Sequence, residues 1–146
     1  MTYRKNLLAS LGFCAALGAA SAWAQGETTA VTPPALHTYG SVGVINGGAN
    51  FDEADAIKRI QSQYPLRVEI SGRGGNYYVA DRVKVLRRDE VVAEIPDAGP
   101  WLLMDLPPGR YTLVGDFGTT ELRRDVVVSN NGTGTKVSWV VPSKVD

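Results

Sequence analysis

From Leu66 to the end, apolar and polar positions alternate with a period of two. In 66–70, Leu66, Val68 and Ile70 share one face while Arg67 and Glu69 take the other, the signature of a strand with one buried side. The pattern recurs in 77–86, where Val83 and Val85 share a face, and further strands are read at 91–95 and 101–106. It continues in 110–116, with Tyr111 and Leu113 inward, in 121–129 around Val126-Val127-Val128, and in 135–141, with Val137, Trp139 and Val141 aligned. Turn residues separate these runs at 72–76, 87–90, 96–100, 107–109, 117–120 and 130–134. The alternation of 77–86 slips near Ala80-Asp81, which predicts a bulge there. Seven strands at this spacing predict a mainly β fold. No helix suited to a parallel crossover lies between them. The expectation is an antiparallel sandwich, its two sheets stacked about 10 Å apart.

A period of 3.6 appears once. In 52–63 and just beyond, Ile57, Ile60 and Tyr64 fall at i, i+3, i+7 and make one apolar stripe. Asp52 is placed to cap this helix, with Glu53 and Asp55 in the first turn and Lys58 and Arg59 toward the end, an order that suits the helix dipole. Asp55 and Arg59 are spaced to pair, and Pro65 ends the segment. The helix is expected to cover an open end or a sheet face. A short strand is expected at 41–45, before the break at Gly47-Gly48.

The first 24 residues read as an address rather than as fold. Arg4 and Lys5 precede an apolar stretch from Leu7 to Ala20, and Ala22 and Ala24 are the small residues a signal peptidase reads. This pattern is that of a secretory signal peptide cut after Ala24, and the apolar run is shorter than the ~20 residues of a membrane span. The chain then divides into 1–24 signal peptide, 25–40 flexible tether containing Pro33-Pro34, 41–63 short strand and helix packing on the sandwich, and 64–142 the β-sandwich. The expected location is periplasmic or secreted, with no membrane span in the mature chain.

Composition narrows the chemistry. The chain has 146 residues, with 15 Lys+Arg against 15 Asp+Glu. Cleavage would remove Arg4 and Lys5 and leave a mildly acidic protein, which gives no reason to expect a nucleic-acid partner. The one cysteine, Cys14, lies in the signal segment, so the mature fold must be held by its core without disulfides.

The segment Gly99-Pro100-Trp101, followed by Leu106-Pro107-Pro108-Gly109-Arg110-Tyr111-Thr112-Leu113, resembles the carboxypeptidase regulatory-like domains, the transthyretin-like (prealbumin-type) sandwiches. Val83-Lys84-Val85 matches an earlier strand of that pattern. From 47 to 141 the chain also looks like small secreted proteobacterial proteins with this domain. The resemblance implies a seven-stranded antiparallel immunoglobulin/prealbumin-like sandwich with one N-terminal helix. It implies no particular activity, because sandwiches host many functions. The corner also has a physical reading. Pro107 and Pro108 fix φ, Gly109 permits positive φ, and the Tyr111 hydroxyl can bond back to the turn as in a tyrosine corner. Urate-pathway hydrolases of this fold class would imply active-site histidines and a terminal Tyr-Arg-Gly-Ser. The chain instead reads Val141-Pro142-Ser143-Lys144-Val145-Asp146, and that activity is not carried over.

Catalytic candidates are few. His37 is the only histidine and falls in the tether, a poor place to hold a base within ~3 Å of a nucleophile. A small hydrolase would need His37 folded against a serine or an acid. Asp52, Glu53 and Asp55 are explained by a helix start. One histidine and no mature cysteine do not make a typical zinc site, and neither 97–99 nor 130–132 carries a calcium loop. No cofactor is expected. Lys84 lacks a receiving asparagine on the last strand for an isopeptide bond, and Asn131-Gly132-Thr133 fits a glycosylation sequon. Arg87-Arg88 and Arg123-Arg124 read either as edge-protecting charge or as a small patch for an anion. Tyr77, Tyr78 and Trp101 are the candidate ligand surface, a stacking platform for sugar rings. The expected function is a non-enzymatic binding or scaffold module of the cell envelope, its partner an envelope protein or a glycan, with a carbohydrate-binding module as the alternative.

Overall fold

The computed structural model describes residues 31–131 and 134–142. The signal-peptide positions, the first part of the tether, and Gly132 and Thr133 of the last turn lie outside the described residues.

Two sheets enclose one core. The first has the order β1-β2-β6-β3-β9, where β1 is His37–Tyr39, β2 Val42–Gly47, β3 Leu66–Gly72, β6 Trp101–Asp105 and β9 Thr135–Val141. The second has the order β5-β4-β7-β8, where β4 is Ala80–Arg87, β5 Glu90–Ala98, β7 Gly109–Phe117 and β8 Thr120–Val128. The mainly β expectation holds, with nine strands among the described residues rather than seven. The seven expected after Pro65 are joined by β2, which spans more than the expected 41–45, and by β1. His37–Tyr39 therefore belongs to a sheet and not to a flexible tether.

The sandwich is also not wholly antiparallel. β3 and β9 run parallel in unbroken register from Leu66↔Thr135 to Gly72↔Val141. A parallel pair needs a long crossover but not a helical one; here the connection runs through the whole second sheet and β6. The Thr135 amide closes the start of the pair on the Pro65 carbonyl at 2.8 Å.

The inner faces follow the alternation. Leu66, Val68 and Ile70 of β3, Leu102 and Met104 of β6, and Val137, Trp139 and Val141 of β9 meet Val83, Val85, Ile95, Leu113 and Phe117 of the other sheet. Phe117 meets Trp139 edge to face, with ring centroids 6.1 Å apart, a favoured aromatic geometry. The alternation does slip beside Ala80, with Asp81 and Arg82 both exposed, but the bulge lies elsewhere. The register shifts between Val85 and Leu86, leaving Val92 of β5 as the extra residue. That bulge frees the Val92 carbonyl to accept from the Ser41 amide at 3.3 Å, tying the two sheets together. β5 runs on through Pro96 to Ala98 where a loop was expected; it is an edge strand, where proline is tolerated.

The helix α1, Phe51–Ile60, continues as a 3-10 turn over Gln61–Gln63. Its cap is Asn50, not Asp52: the Asn50 Oδ1 accepts from the Glu53 amide at 2.8 Å. Glu53 in turn accepts from the amides of Gly48 at 2.9 Å and Ala49 at 3.3 Å, a reciprocal arrangement close to a capping box. Asp55 pairs with Lys58 at 3.4 Å rather than with Arg59. The stripe behaves as expected. Ile57 and Ala54 are buried against Ile45, Trp101 and Leu103, with Ile60 and Tyr64 packed at the side. The helix thus covers the β2–β6 half of one outer sheet face.

Candidate functional site

The proposed aromatic platform does not assemble. Trp101 is only 6% exposed; it lies on the outer face of β6 under α1, with the Lys58 ammonium 5.5 Å from its ring centroid. Gly48 has φ +89° and backs directly onto this indole, and a Cβ there would sit 2.4 Å from Trp101 Cδ1. Gly-Gly and Gly-Pro-Trp are therefore two halves of one packed corner. Its other tie is Asn46, which accepts from the Gly99 amide at 2.6 Å and donates to the Asp97 carbonyl at 3.1 Å. Tyr78 packs on the main core, and its amide donates to the Ile70 carbonyl at 3.2 Å. Of the three, only Tyr77 is open, at 38%. The structure leaves one exposed ring where stacking needs a surface.

The Leu-Pro-Pro-Gly-Arg-Tyr turn is a structural corner as expected. The Tyr111 hydroxyl donates to the Pro107 carbonyl at 2.6 Å. Gly109 stands at φ +155°, which side-chain-bearing residues rarely adopt. The Arg87 guanidinium lies 5.7 Å from the Tyr111 ring centroid, so Arg87 closes this corner.

Carboxylates along the chain also have structural work. Glu53 holds the chain ahead of α1. Asp81 accepts from the Gly118 amide at 2.7 Å and so ties β4 to the β7–β8 hairpin. Arg82 bridges Glu94 at 2.9 Å and Asp116 at 3.1 Å; hydrogen bonds to these two acids, Glu94 foremost, push its pKa above the usual arginine value. His37 lies exposed on β1. Among the described residues no three His, Cys, Asp or Glu side chains cluster closely enough to hold a metal.

Two other features stand out. The first is a recess of about 370 Å³ on the outer face of the second sheet, where the β4–β5 turn meets β7 and β8. Arg88, Arg110, Thr112 and Asp125 supply its polar rim, and Leu86 and Val127 part of its apolar floor. Strand pairing explains this grouping: Leu86 lies opposite Thr112, Thr112 opposite Asp125, and Arg110 opposite Val127. Arg88 and Asp89 form the two-residue turn with φ +52° and +61°, the geometry that ordinarily selects Asn-Gly.

The second feature is the free edge of β9, which pairs with β3 on one side and with no strand on the other among the described residues. The other long edges carry guards: Pro96, Glu90 and Glu94 on β5, and Glu121, Arg123, Arg124 and Asp125 on β8. β9 carries one charge, Lys136, held at 3.0 Å by Glu69, and Val140 is 53% exposed.

The recess residues on β7 and β8 were visible in the sequence only as outward positions of alternating strands. The β9 edge had no sequence signal, because strand order is not written in periodicity. Comparison with protein-family models, curated proteins and solved structures returned no match.

Proposed function

We propose that this chain is a secreted, non-enzymatic β-sandwich module of the carboxypeptidase regulatory-like, transthyretin-like kind, which binds or scaffolds in the cell envelope. Its partner is an envelope protein that adds an extended segment to β9. The observation carrying this reading is the seven-residue edge of Thr135–Val141, long enough for main-chain pairing, free of proline, and with its one charge, Lys136, held by Glu69. The acids tied into caps, hairpins and ion pairs support a binding role over a catalytic one. The signal-peptide pattern of residues 1–24 supports the location, and the Leu106-to-Tyr111 corner supports the kinship.

The test uses the mature chain as bait on a cell-envelope extract with a short-range cross-linker, beside a variant carrying Ser138→Lys and Val140→Lys. Both positions are exposed, so the variant should fold and melt like the parent. The expected result is a discrete partner whose cross-linked peptides map to 135–141 and which the variant fails to capture. Cross-links elsewhere that survive the two lysines would overturn the edge. A reproducible turnover, lost on changing one surface residue, would overturn the non-enzymatic reading.

A further inference from the structure

The recess on the second sheet carries an inference of its own, independent of the β9 edge. Ion pairs occupy two neighbouring cations on this outer face, while Lys84 makes none among the described residues. Arg82 spans Glu94 and Asp116, and Arg123 meets Glu121 at 3.2 Å. Arg88 and Arg110 make no ion pair among the described residues, although both line the same recess. The β4–β7 register ends at Leu86↔Thr112, and Arg88 lies in the turn beyond it, on the same recess as Arg110. Arg88 reaches this place from a left-handed backbone, φ +52°, which a side chain with a Cβ adopts at an energetic cost. A turn selected only for stability would carry Asn-Gly. This one carries Arg-Asp, and both residues line the recess on that charged sheet face.

The chemistry of the lining names a ligand class. Two unpaired guanidiniums suit a planar carboxylate, which arginine binds through paired hydrogen bonds. The acids Asp89 and Asp125 would disfavour a small multiply charged anion but accept hydroxyl donors. Asp125 is fixed for that role by the Thr112 hydroxyl, which donates to its Oδ1 at 2.8 Å. Leu86 and the 56% exposed Val127 offer an apolar floor for the C–H face of a ring. A recess of about 370 Å³ has room for a sugar unit. We infer that the recess binds a carboxylate-bearing sugar of an acidic glycan: Arg88 and Arg110 clamp the carboxylate, Asp125 accepts from ring hydroxyls, and Leu86 with Val127 supports the ring.

The test is calorimetric titration of the purified secreted protein with oligogalacturonate, its methyl-esterified counterpart and inorganic phosphate. Arg110→Ala and Arg88→Asn are titrated alongside. Binding of the acidic oligomer alone is expected, weakened roughly tenfold by either substitution, the loss typical of one charge-assisted contact. Arg88→Asn separates binding from folding, because asparagine suits the turn; its Tm should rise while its affinity falls. Equal binding of the esterified oligomer, competition by phosphate at similar concentration, unchanged affinity in both variants, or no binding at millimolar oligomer would each overturn the inference.

Discussion

The outer face of the five-stranded sheet presents Ile45, Trp101 and Leu103 to α1, whereas that of the four-stranded sheet presents Arg82, Lys84, Thr112, Asp116, Arg123 and Asp125 to solvent. Each sheet buries its inner face in the same core, so the difference lies in what covers the second side. In the covered sheet, Trp101 and Leu103 are buried under the helix and Leu102 and Met104 in the main core, so β6 reads as a continuous apolar run. On the open face the strands alternate, and the one apolar outward residue that is buried, Val114, lies between Lys84 and Arg123; the stems of long charged side chains can shield such a position. A helix buries one face at the expense of its availability, and leaves the open sheet and the β9 edge as the accessible surfaces.

The contrast can be broken most severely at Trp101. Trp101→Ala removes the anchor under α1 and should destabilise the fold by about 3–5 kcal/mol, read as the loss of denaturation midpoint in urea. Helix signal should be lost ahead of sheet signal. Gly48→Ala attacks the same corner from the backbone. Its Cβ meets the indole at 2.4 Å from a φ of +89°, and a loss of about 1–3 kcal/mol is expected in the same assay. Tyr111→Phe removes only the hydroxyl bond to the Pro107 carbonyl and should lower stability by about 1 kcal/mol, with the sheet spectrum unchanged. Arg82→Ala on the open face removes two exposed ion pairs, and exposed pairs contribute little. Its thermal midpoint should match the parent's within replicate scatter, and a clear drop would show that the open face has a structural role after all.

The same contrast explains how far the sequence could be read. β3, β7 and β9 were legible because each shows one face to the core and one to solvent, and the helix stripe of Ile57, Ile60 and Tyr64 stood out for the equivalent reason. The Leu106-to-Tyr111 corner was legible because two prolines and a glycine leave few backbone choices. Trp101 was misread as part of an open stacking surface, since a run buried on both faces has no periodicity to mark which side a helix covers. Asp52 was misread as the cap because the helix starts two residues earlier, where Asn50 takes the Glu53 amide. The parallel β3–β9 pair was missed because local pattern does not record which strand returns to which. The arginines of the recess were half legible. Arg88 was visible as part of a basic pair, but Arg110, Thr112 and Asp125 join it only through strand register.

The central claim is that β9 is an open edge awaiting a partner strand. Residue-resolved amide exchange across Thr135–Val141, in the protein alone and with a synthetic peptide of the cross-linked partner segment, tests it most directly. Alternating protection is expected in the free protein, with amides toward β3 slow and those facing outward fast; the fast ones should slow at least tenfold on adding the peptide. Uniform protection along β9 in the free protein, or protection gained only outside 135–141, would contradict it.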